Sequence, residues 1–262
     1  MPLRLIKHIA RVAEETSDKI DSVTISGGEA LVHPRIREIV AELRRVSKRI
    51  TLSTNALRLS QKMAENLFNS GVTKFRIDLD PYRMTGRKWN PHGIVIDHIE
   101  RVLEVAARTG AAVELNTVLA HYDAPQIAAI LRFCEKHRVN IKIFERVLPG
   151  SDALYRAAPD TPLSLLEDAL TDSFGKIEMH REPDSGDVNY LCPGFLLRYC
   201  EFLCGYSRCW FSGTRFDPDG HVSACMNRLS TGPHVSPDQS LEETVRVIAG
   251  SVAQGCILST IQ

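Results

Sequence analysis

The sequence predicts an α/β fold: a partial, open parallel βα barrel that lacks its first strand, followed by a small cysteine-rich hairpin and helix. Three observations predict it. Short β-branched runs alternate with amphipathic stretches of helical period over the first 150 residues. The strand-like runs end near Ser26, Ser53, Leu79, Asn116 and Glu145, at spacings of 26–37 residues, the length of one strand–helix unit. No dinucleotide-binding glycine fingerprint accompanies them, which leaves a parallel barrel or a doubly wound sheet. A barrel normally opens on a strand, whereas this chain opens on a helical pattern, so one unit is expected to be missing from the front.

Taken in order, Ile6, Ile9, Ala10 and Ala13 form an apolar stripe at helical spacing within residues 3–16. Asp21–Ser26 reads as a strand, and Arg35–Val46 as a helix with Ile36, Ile39, Val40 and Leu43 inward. Ile50–Ser53 is strand-like. Residues 60–70 predict a helix with Ser60 as its N-cap and Gly71 as its stop. Val72–Leu79 is a strand, 94–109 a helix closed by Gly110, Ala112–Leu119 a strand, 124–137 a helix and Val139–Val147 a strand.

Composition shifts after Gly150. Residues 151–191 carry Pro159, Pro162 and Pro183 with a helix predicted from Leu163 to Thr171, and read as a connecting segment between residues 1–150 and a cysteine-rich region, 192–262. In that last region Phe211–Phe216 and His221–Cys225 flank a turn of Asp217, Pro218, Asp219 and Gly220, a hairpin signal, and 241–253 reads as a short helix.

Across the 262 residues, 32 Lys and Arg balance 32 Asp and Glu, which removes the basic surplus expected of a nucleic-acid binder. With 44% hydrophobic residues the chain can bury a full core, and no apolar run approaches a membrane span. The N-terminal residues are interrupted by charge too often for a signal peptide, and a cytoplasmic protein without membrane or nucleic-acid partners is expected.

Two constellations carry chemistry. The first is Ser26, Gly27, Gly28 and Glu29 at a strand exit, where two glycines let the backbone approach a ligand and Glu29 adds a carboxylate able to hold an ammonium group. A phosphate cradle would want a following Lys and Ser or Thr, which are absent, and a carboxylate repels phosphate. The second is the cysteine distribution. Five of seven cysteines lie in the 34 residues from Cys192 to Cys225, and none precedes Cys134. An odd count without a secretion signal fits a metal site better than a disulfide framework. Cys204, Cys209 and Cys225 bracket the hairpin, whose fold would bring the sulfurs of its two ends to one centre, and thiolates suit iron–sulfur clusters or zinc. Cys134 lies on the apolar face of a helix and is read as core, whereas Cys192 and Cys200 admit either role.

At successive strand ends the chain carries SGGEA, STNA, DLDP and IFERVLPG. This ordered series resembles the radical S-adenosylmethionine (radical SAM) superfamily, in particular the branch with the molybdenum-cofactor cyclase and the SPASM/twitch enzymes, where SGGEP, TNG, SLD and a final strand occur in the same order. The resemblance spans roughly residues 3–150. It implies that Gly27, Gly28 and Glu29 hold the methionine amino group of S-adenosylmethionine, with Thr54 and Asp78 where the family contacts the methionyl carboxylate and ribose. Ala30, Ala56 and Asp78 depart from the family's Pro, Gly and Ser, and Asp78 suits ribose hydroxyls better than a carboxylate. Asp78 and Asp80 admit a second reading as a solvated strand end.

The segment from Cys204 through Asp217–Cys225 resembles the opening of a SPASM or twitch domain, which implies an auxiliary [4Fe–4S] cluster, with Cys256 the natural fourth ligand to Cys204, Cys209 and Cys225. Zinc on the same ligands is the alternative metal. The family's chemistry is hydrogen abstraction by a 5′-deoxyadenosyl radical, and its catalytic cluster needs a C-x3-C-x2-C motif that this chain lacks. The expectation is therefore either that about 25–35 residues, one strand-plus-loop unit, lie upstream, or that the chain is a non-catalytic, cluster-bearing partner of a complete enzyme. The implied partners are a peptide or small-molecule substrate and a reductant protein.

Overall fold

Ile50 and Leu52 are fully buried and alternate with half-buried Thr51 and Ser53, so this five-residue run has one face for the core and one for solvent. The same period of two recurs down the chain, separated by helices whose apolar residues fall three and four apart. The computed structural model describes residues 1–16, 20–79, 92–119, 123–145, 147–149, 155–157, 163–183, 187–200, 213–224 and 232–253.

In chain order these hold α1 (Leu3–Thr16), β1 (Val23–Ile25), a 3-10 turn (Ala30–Val32), α2 (Ile36–Val46), β2 (Ile50–Thr54), α3 (Gln61–Ser70), β3 (Lys74–Asp78), α4 (His92–Thr109), β4 (Ala112–Leu119), α5 (Ala124–His137) and β5 (Asn140–Glu145). They continue with β6 (Val147–Pro149), β7 (Tyr155–Ala157), α6 (Leu163–Phe174), β8 (Glu178–Arg181), β9 (Val188–Cys192), β10 (Phe195–Cys200), β11 (Arg215–Phe216), β12 (Val222–Ser223) and α7 (Leu241–Ala253).

The helix ends follow their capping residues. The Ser60 hydroxyl accepts from the Met63 amide and Gly71 closes α3 at φ 121°, while Asp123 and Gln126 form a reciprocal capping box at the start of α5.

Eight strands form one sheet in the order β1-β2-β3-β4-β5-β10-β9-β8. Pairs from β1 to β5 and β5 to β10 are parallel, and β9 and β8 add antiparallel. Six strands therefore point their carboxyl ends the same way, as in a βα barrel. Among the described residues β1 and β8 end the strand order, so the sheet is open. One face packs Leu52, Phe75, Ile77, Leu115, Ile141, Ile143 and Leu197 beneath the helices as the main core.

The sheet does not stop at residue 150. Residues 178–200, which composition assigns to a connecting segment and to the start of the cysteine-rich region, supply its last three strands. The reason is physical. All four residues of β8 are exposed, so the strand has no apolar alternation to read, and Cys192 lies at the end of a sheet strand where sequence shows only a cysteine beside a proline.

The other face is polar. Thr51, Ser53, Lys74, Arg76, Asp78, Glu114, Asn116, Lys142, Arg198 and Asn189 alternate with the core residues and share that concave side. Glu114 organises its centre, accepting from Lys74 Nζ at 3.2 Å and Arg76 Nε at 3.0 Å, with Lys142 Nζ at 3.9 Å.

The C-terminal hairpin docks on the first helix. Leu5 of α1 packs with Val222 and Val235, flanked by Ile9, Phe216, Val247 and Ile248, and His8 bonds Thr244 at 2.8 Å. Asp217 Oδ1 accepts from the amides of Asp219, Gly220 and His221, which shapes the predicted turn. At Gly220, φ 103°, a Cβ would lie 2.5 Å from the Val235 carbonyl, so the close approach requires glycine.

Two outcomes follow from this sheet. In β1 the Val23 amide bonds back to Arg49 O, which directs the Thr24 amide to the open edge. Hydrogen exchange at Thr24 should run near the rate of an unstructured chain, while Leu115 and Ile143 in the sheet interior exchange orders of magnitude more slowly; protection at Thr24 in a monomer would contradict the open edge. The second concerns Glu114. Burial raises its carboxyl, but Lys142, Lys74 and Arg76 outweigh this and hold it below its ordinary value. Its stabilisation is therefore present above the ordinary carboxylate range, near about 4.3, and fades as pH falls through the lower folded value. Glu114→Gln is expected to lose about 3 kcal/mol at neutral pH, with a flatter decline in stability on acidification than the parent, read by urea unfolding across pH.

Candidate functional site

The carboxyl ends of β1 to β4 lie side by side, a rim about 15 Å across at the usual strand spacing. Ser26, Gly27 and Gly28 leave β1 exposed, and an added Cβ at either glycine would meet nothing within 4 Å. Gly27 has φ 149°, a conformation that favours glycine, so the backbone itself forms an uncovered ledge at the strand exit.

Glu29 fixes that ledge. Its Oε1 accepts from the Leu31 amide at 2.8 Å and from the Thr54 hydroxyl at 2.7 Å, and its Oε2 accepts from the Asn55 amide at 2.8 Å. One carboxylate thereby caps the 3-10 turn after β1 and ties it to the end of β2. An ionised carboxylate offers about four lone-pair directions, so Oε2 keeps capacity for one more donor, such as an ammonium group.

Thr54 serves this arrangement from within. It is 2% exposed, donates to Glu29 and accepts from the Ala56 amide at 3.1 Å. Both functions of its hydroxyl are engaged inside the protein, which makes Thr54 a positioning residue for Glu29. Ala56, where the resemblance expects glycine, adopts φ 59°, and its carbonyl bonds His98 Nδ1 of α4 at 2.8 Å. The methyl group is buried and the left-handed turn is retained despite it. Ala30, in the other departure, is buried at the start of the 3-10 turn.

Asp78 ends β3, exposed, directly opposite Asn116 of β4. Asn116 Oδ1 is a buried acceptor with no hydrogen-bond partner among the described residues. Such atoms are rare and point to an absent donor, as a ribose hydroxyl or an amine would be. The open glycine ledge, the spare capacity of Glu29 and the orphaned Asn116 acceptor together fit an amino-acid nucleotide laid along the rim. Sequence reasoning placed Asn116 at a strand end without a role, and it missed the cationic inner face. The signal for that face was present: Glu114 lies between Val113 and Leu115, and Lys142 between Ile141 and Ile143.

The sequence-derived metal ligands Cys204, Cys209, Cys225 and Cys256 lie outside the described residues, as does Asp80. Among the described residues no group of three or more His, Cys, Asp or Glu side chains is placed to hold a metal. Burial raises the Cys134 thiol and pushes Cys192 up to about 11, and burial with Asp187 pushes Cys200 up to about 12. An open groove of about 820 Å³ between the 3-10 turn, α2 and α3 is lined by Arg35, Arg58, Lys62 and Met63, on the helical side of the sheet. No described helix is long and apolar enough to cross a membrane.

The chain is 24% identical over 222 residues to a GTP 3',8-cyclase of Bradyrhizobium diazoefficiens, covering 78% of this chain and 64% of the relative. It is 27% identical over 216 residues to a probable GTP 3',8-cyclase of Methanococcus maripaludis, covering 80% and 70%. The chain spans 38% of a related bovine protein, molybdenum cofactor biosynthesis protein 1, at 22% identity over 253 residues, 90% of this chain. The crystal structure of Streptococcus suis SuiB bound to precursor peptide SuiA superposes with a TM-score of 0.64 at 16% identity, covering 95% of this chain and 60% of SuiB. SuiB bound to S-adenosylmethionine gives 0.61 at 17% identity, covering 98% and 64%. At those identities the superpositions establish the shared fold. The Radical SAM superfamily model matches residues 1–134, half of the chain, and the protein therefore belongs to the radical SAM superfamily.

Proposed function

We propose that this chain binds S-adenosylmethionine along the rim from Gly27 to Asn116 and carries an auxiliary [4Fe–4S] cluster on Cys204, Cys209, Cys225 and Cys256, as part of an enzyme that modifies its substrate by hydrogen abstraction. The observation that carries the reading is the Glu29 carboxylate, held by Leu31, Thr54 and Asn55 beside two uncovered glycines. That geometry suits the α-amino group of an amino acid: the carboxylate supplies charge and a free lone pair, and the ledge supplies backbone groups.

Asp78 would accept from the ribose hydroxyls, and Asn116 Oδ1 would gain the donor it lacks. Bound there and reduced by a cluster, S-adenosylmethionine supplies the 5′-deoxyadenosyl radical that abstracts hydrogen. The chain's own part is to orient the cofactor against the concave face, where the substrate would sit. GTP 3',8-cyclase and precursor-peptide relatives support a nucleotide or peptide substrate. A reductant protein in the cytoplasm would supply electrons. The auxiliary cluster rests on the cysteine spacing around the hairpin, whose described strands pair as the sequence predicts.

Calorimetric titration with S-adenosylmethionine tests the first half. The parent chain should bind it, Glu29→Ala should bind at least about tenfold more weakly, and Thr54→Val should weaken binding severalfold while leaving Glu29 in place. Binding unchanged in Glu29→Ala would sink the rim assignment. Because Glu29→Ala also orphans two amides, its stability should fall by about 2 kcal/mol. Anaerobic reconstitution with metal and sulfide analysis tests the second half. The expected result is about four irons with matching sulfide, lost on substituting Cys225 and Cys256 by Ser; a single zinc would replace the cluster reading.

A further inference from the structure

Two residues other than glycine hold a left-handed backbone among the described residues, Ala56 at φ 59° and Arg138 at φ 50°. Arg138 closes α5, where that conformation is an ordinary helix stop. Ala56 stands at no helix end. It follows β2, inside the turn that carries Thr54 and Asn55, and it is fully buried. An L-residue disfavours this region because its Cβ crowds a carbonyl oxygen, so the turn persists only where its surroundings hold it.

The bonds that hold it are of two kinds. Within the turn, the Ala56 amide donates to the Thr54 hydroxyl at 3.1 Å and the Leu57 amide to Asn55 Oδ1 at 3.0 Å. The Leu59 amide donates to the Ala56 carbonyl at 3.0 Å. Two side chains from elsewhere also bond the turn among the described residues. Glu29 takes its leading end, at Thr54 and Asn55, while His98 of α4 takes Ala56, donating from Nδ1 to the carbonyl at 2.8 Å. A carbonyl only accepts, so the ring carries a proton on Nδ1 in this contact, and both lone pairs of the Ala56 oxygen are used.

His98 reaches the turn from a firm support. It precedes Ile99 and lies one helical turn before Val102, both fully buried in the main core, so α4 cannot shift without disturbing that packing. The bonds then form a relay. His98 fixes the Ala56 carbonyl, the Ala56 amide occupies a lone pair of the Thr54 hydroxyl, and that hydroxyl is left to donate to Glu29.

We infer that His98 is a positioning residue for the cofactor site: by clamping the Ala56 carbonyl it holds the left-handed turn in which Thr54 and Asn55 bond Glu29. The helix after β3 thereby sets the exit of β2 from one side, as Glu29 sets it from the exit of β1. Glycine at position 56 would adopt the same conformation unaided, and alanine there is what makes the clamp necessary. The inference deepens the proposed function and rests on its assignment of Glu29 to the amino group of S-adenosylmethionine.

Two measurements on the same variants test it. The first, amide hydrogen exchange at Asn55 and Ala56, needs no cofactor. His98→Ala removes donor and ring, and His98→Leu fills the space without a donor. Each should speed that exchange about fivefold or more, with Leu115 in the sheet interior unchanged. His98→Asn, which places a side-chain N–H near the position of Nδ1–H, should exchange as the parent does. The second measurement is calorimetric titration with S-adenosylmethionine. The two variants without a donor should bind about fivefold more weakly. His98→Asn, and the double variant of His98→Ala with Ala56→Gly, should return to within about twofold of the parent. Exchange at Asn55 and Ala56 that keeps the parent's rate in both donor-less variants would overturn the inference, as would weakened binding that Ala56→Gly fails to restore. A parent chain that binds no S-adenosylmethionine defeats the cofactor reading alone, because exchange at Asn55 and Ala56 still decides whether His98 holds the turn. Cofactor binding by the parent that neither donor-less variant diminishes defeats this inference alone.

Discussion

The rim depends on a single carboxylate. Glu29 lies past the end of β1, yet two of its three hydrogen bonds reach the end of β2, at Thr54 and Asn55. Parallel strands are joined by long crossovers, so nothing in the chain's local connectivity aligns the loops at their carboxyl ends. A side chain that bonds both exits supplies the missing alignment. The backbone at Gly27 and Gly28 can then remain uncovered, because its position is set from below by Glu29. The same carboxylate that shapes the turn is the one left with a free lone pair beside the ledge, so structural and binding roles coincide in one group.

The sheet imposes the second constraint. With a side-chain period of two, every strand that buries Leu52, Phe75, Leu115, Ile141 or Leu197 under the helices presents its neighbouring residues to the concave side. In a tightly closed barrel those positions would be filled by interlocking apolar side chains. Here they are threonine, serine, lysine, arginine, glutamate and asparagine, a set that packs poorly and hydrates well. The inner face is therefore a polar surface and not a packed apolar core. Glu114 limits repulsion among its cations, since it pairs with Lys74, Arg76 and Lys142 together.

Most of the helical and parallel-strand framework was legible in the sequence because its signals are local. Ser60, Gly71 and Asp123 mark helix ends by hydrogen bonds made within four residues, and β4 matches its predicted span of Ala112–Leu119. What escaped was non-local. Strand β8 is exposed at every residue and joins the sheet by backbone pairing to β9, which no side-chain pattern announces. At the site, the motif SGGE showed that Glu29 mattered, but its link to Thr54 spans 25 residues and becomes visible only when β1 and β2 are adjacent. Thr54 accordingly moves from a contact implied by resemblance to a group whose hydroxyl is engaged with Glu29 and Ala56. The pairing of β10 with β5 is more remote still, because it joins strands separated by residues 146–194.

The C-terminal hairpin shows how the cysteine-rich region is coupled to the barrel. Helix α1 packs on two sides: Leu3 and Ile6 meet Ile39 of α2, while Leu5 meets Val222 and Val235. The hairpin strand β12 is thus seated on a helix that is itself part of the barrel's outer layer, and Ser251 of α7 reinforces it by donating to the Val222 carbonyl at 3.0 Å. Gly220 allows this seating, because a side chain there would strike both the Val235 carbonyl and Leu5. Buried Ser223 and Ala224 then lead directly to Cys225. A metal bound through Cys225 would stabilise the hairpin, and by linkage whatever binds only the folded hairpin also stabilises the interface it makes with α1. The first helix and the described hairpin, far apart in sequence, therefore share one contact, through Leu5, Val222 and Val235.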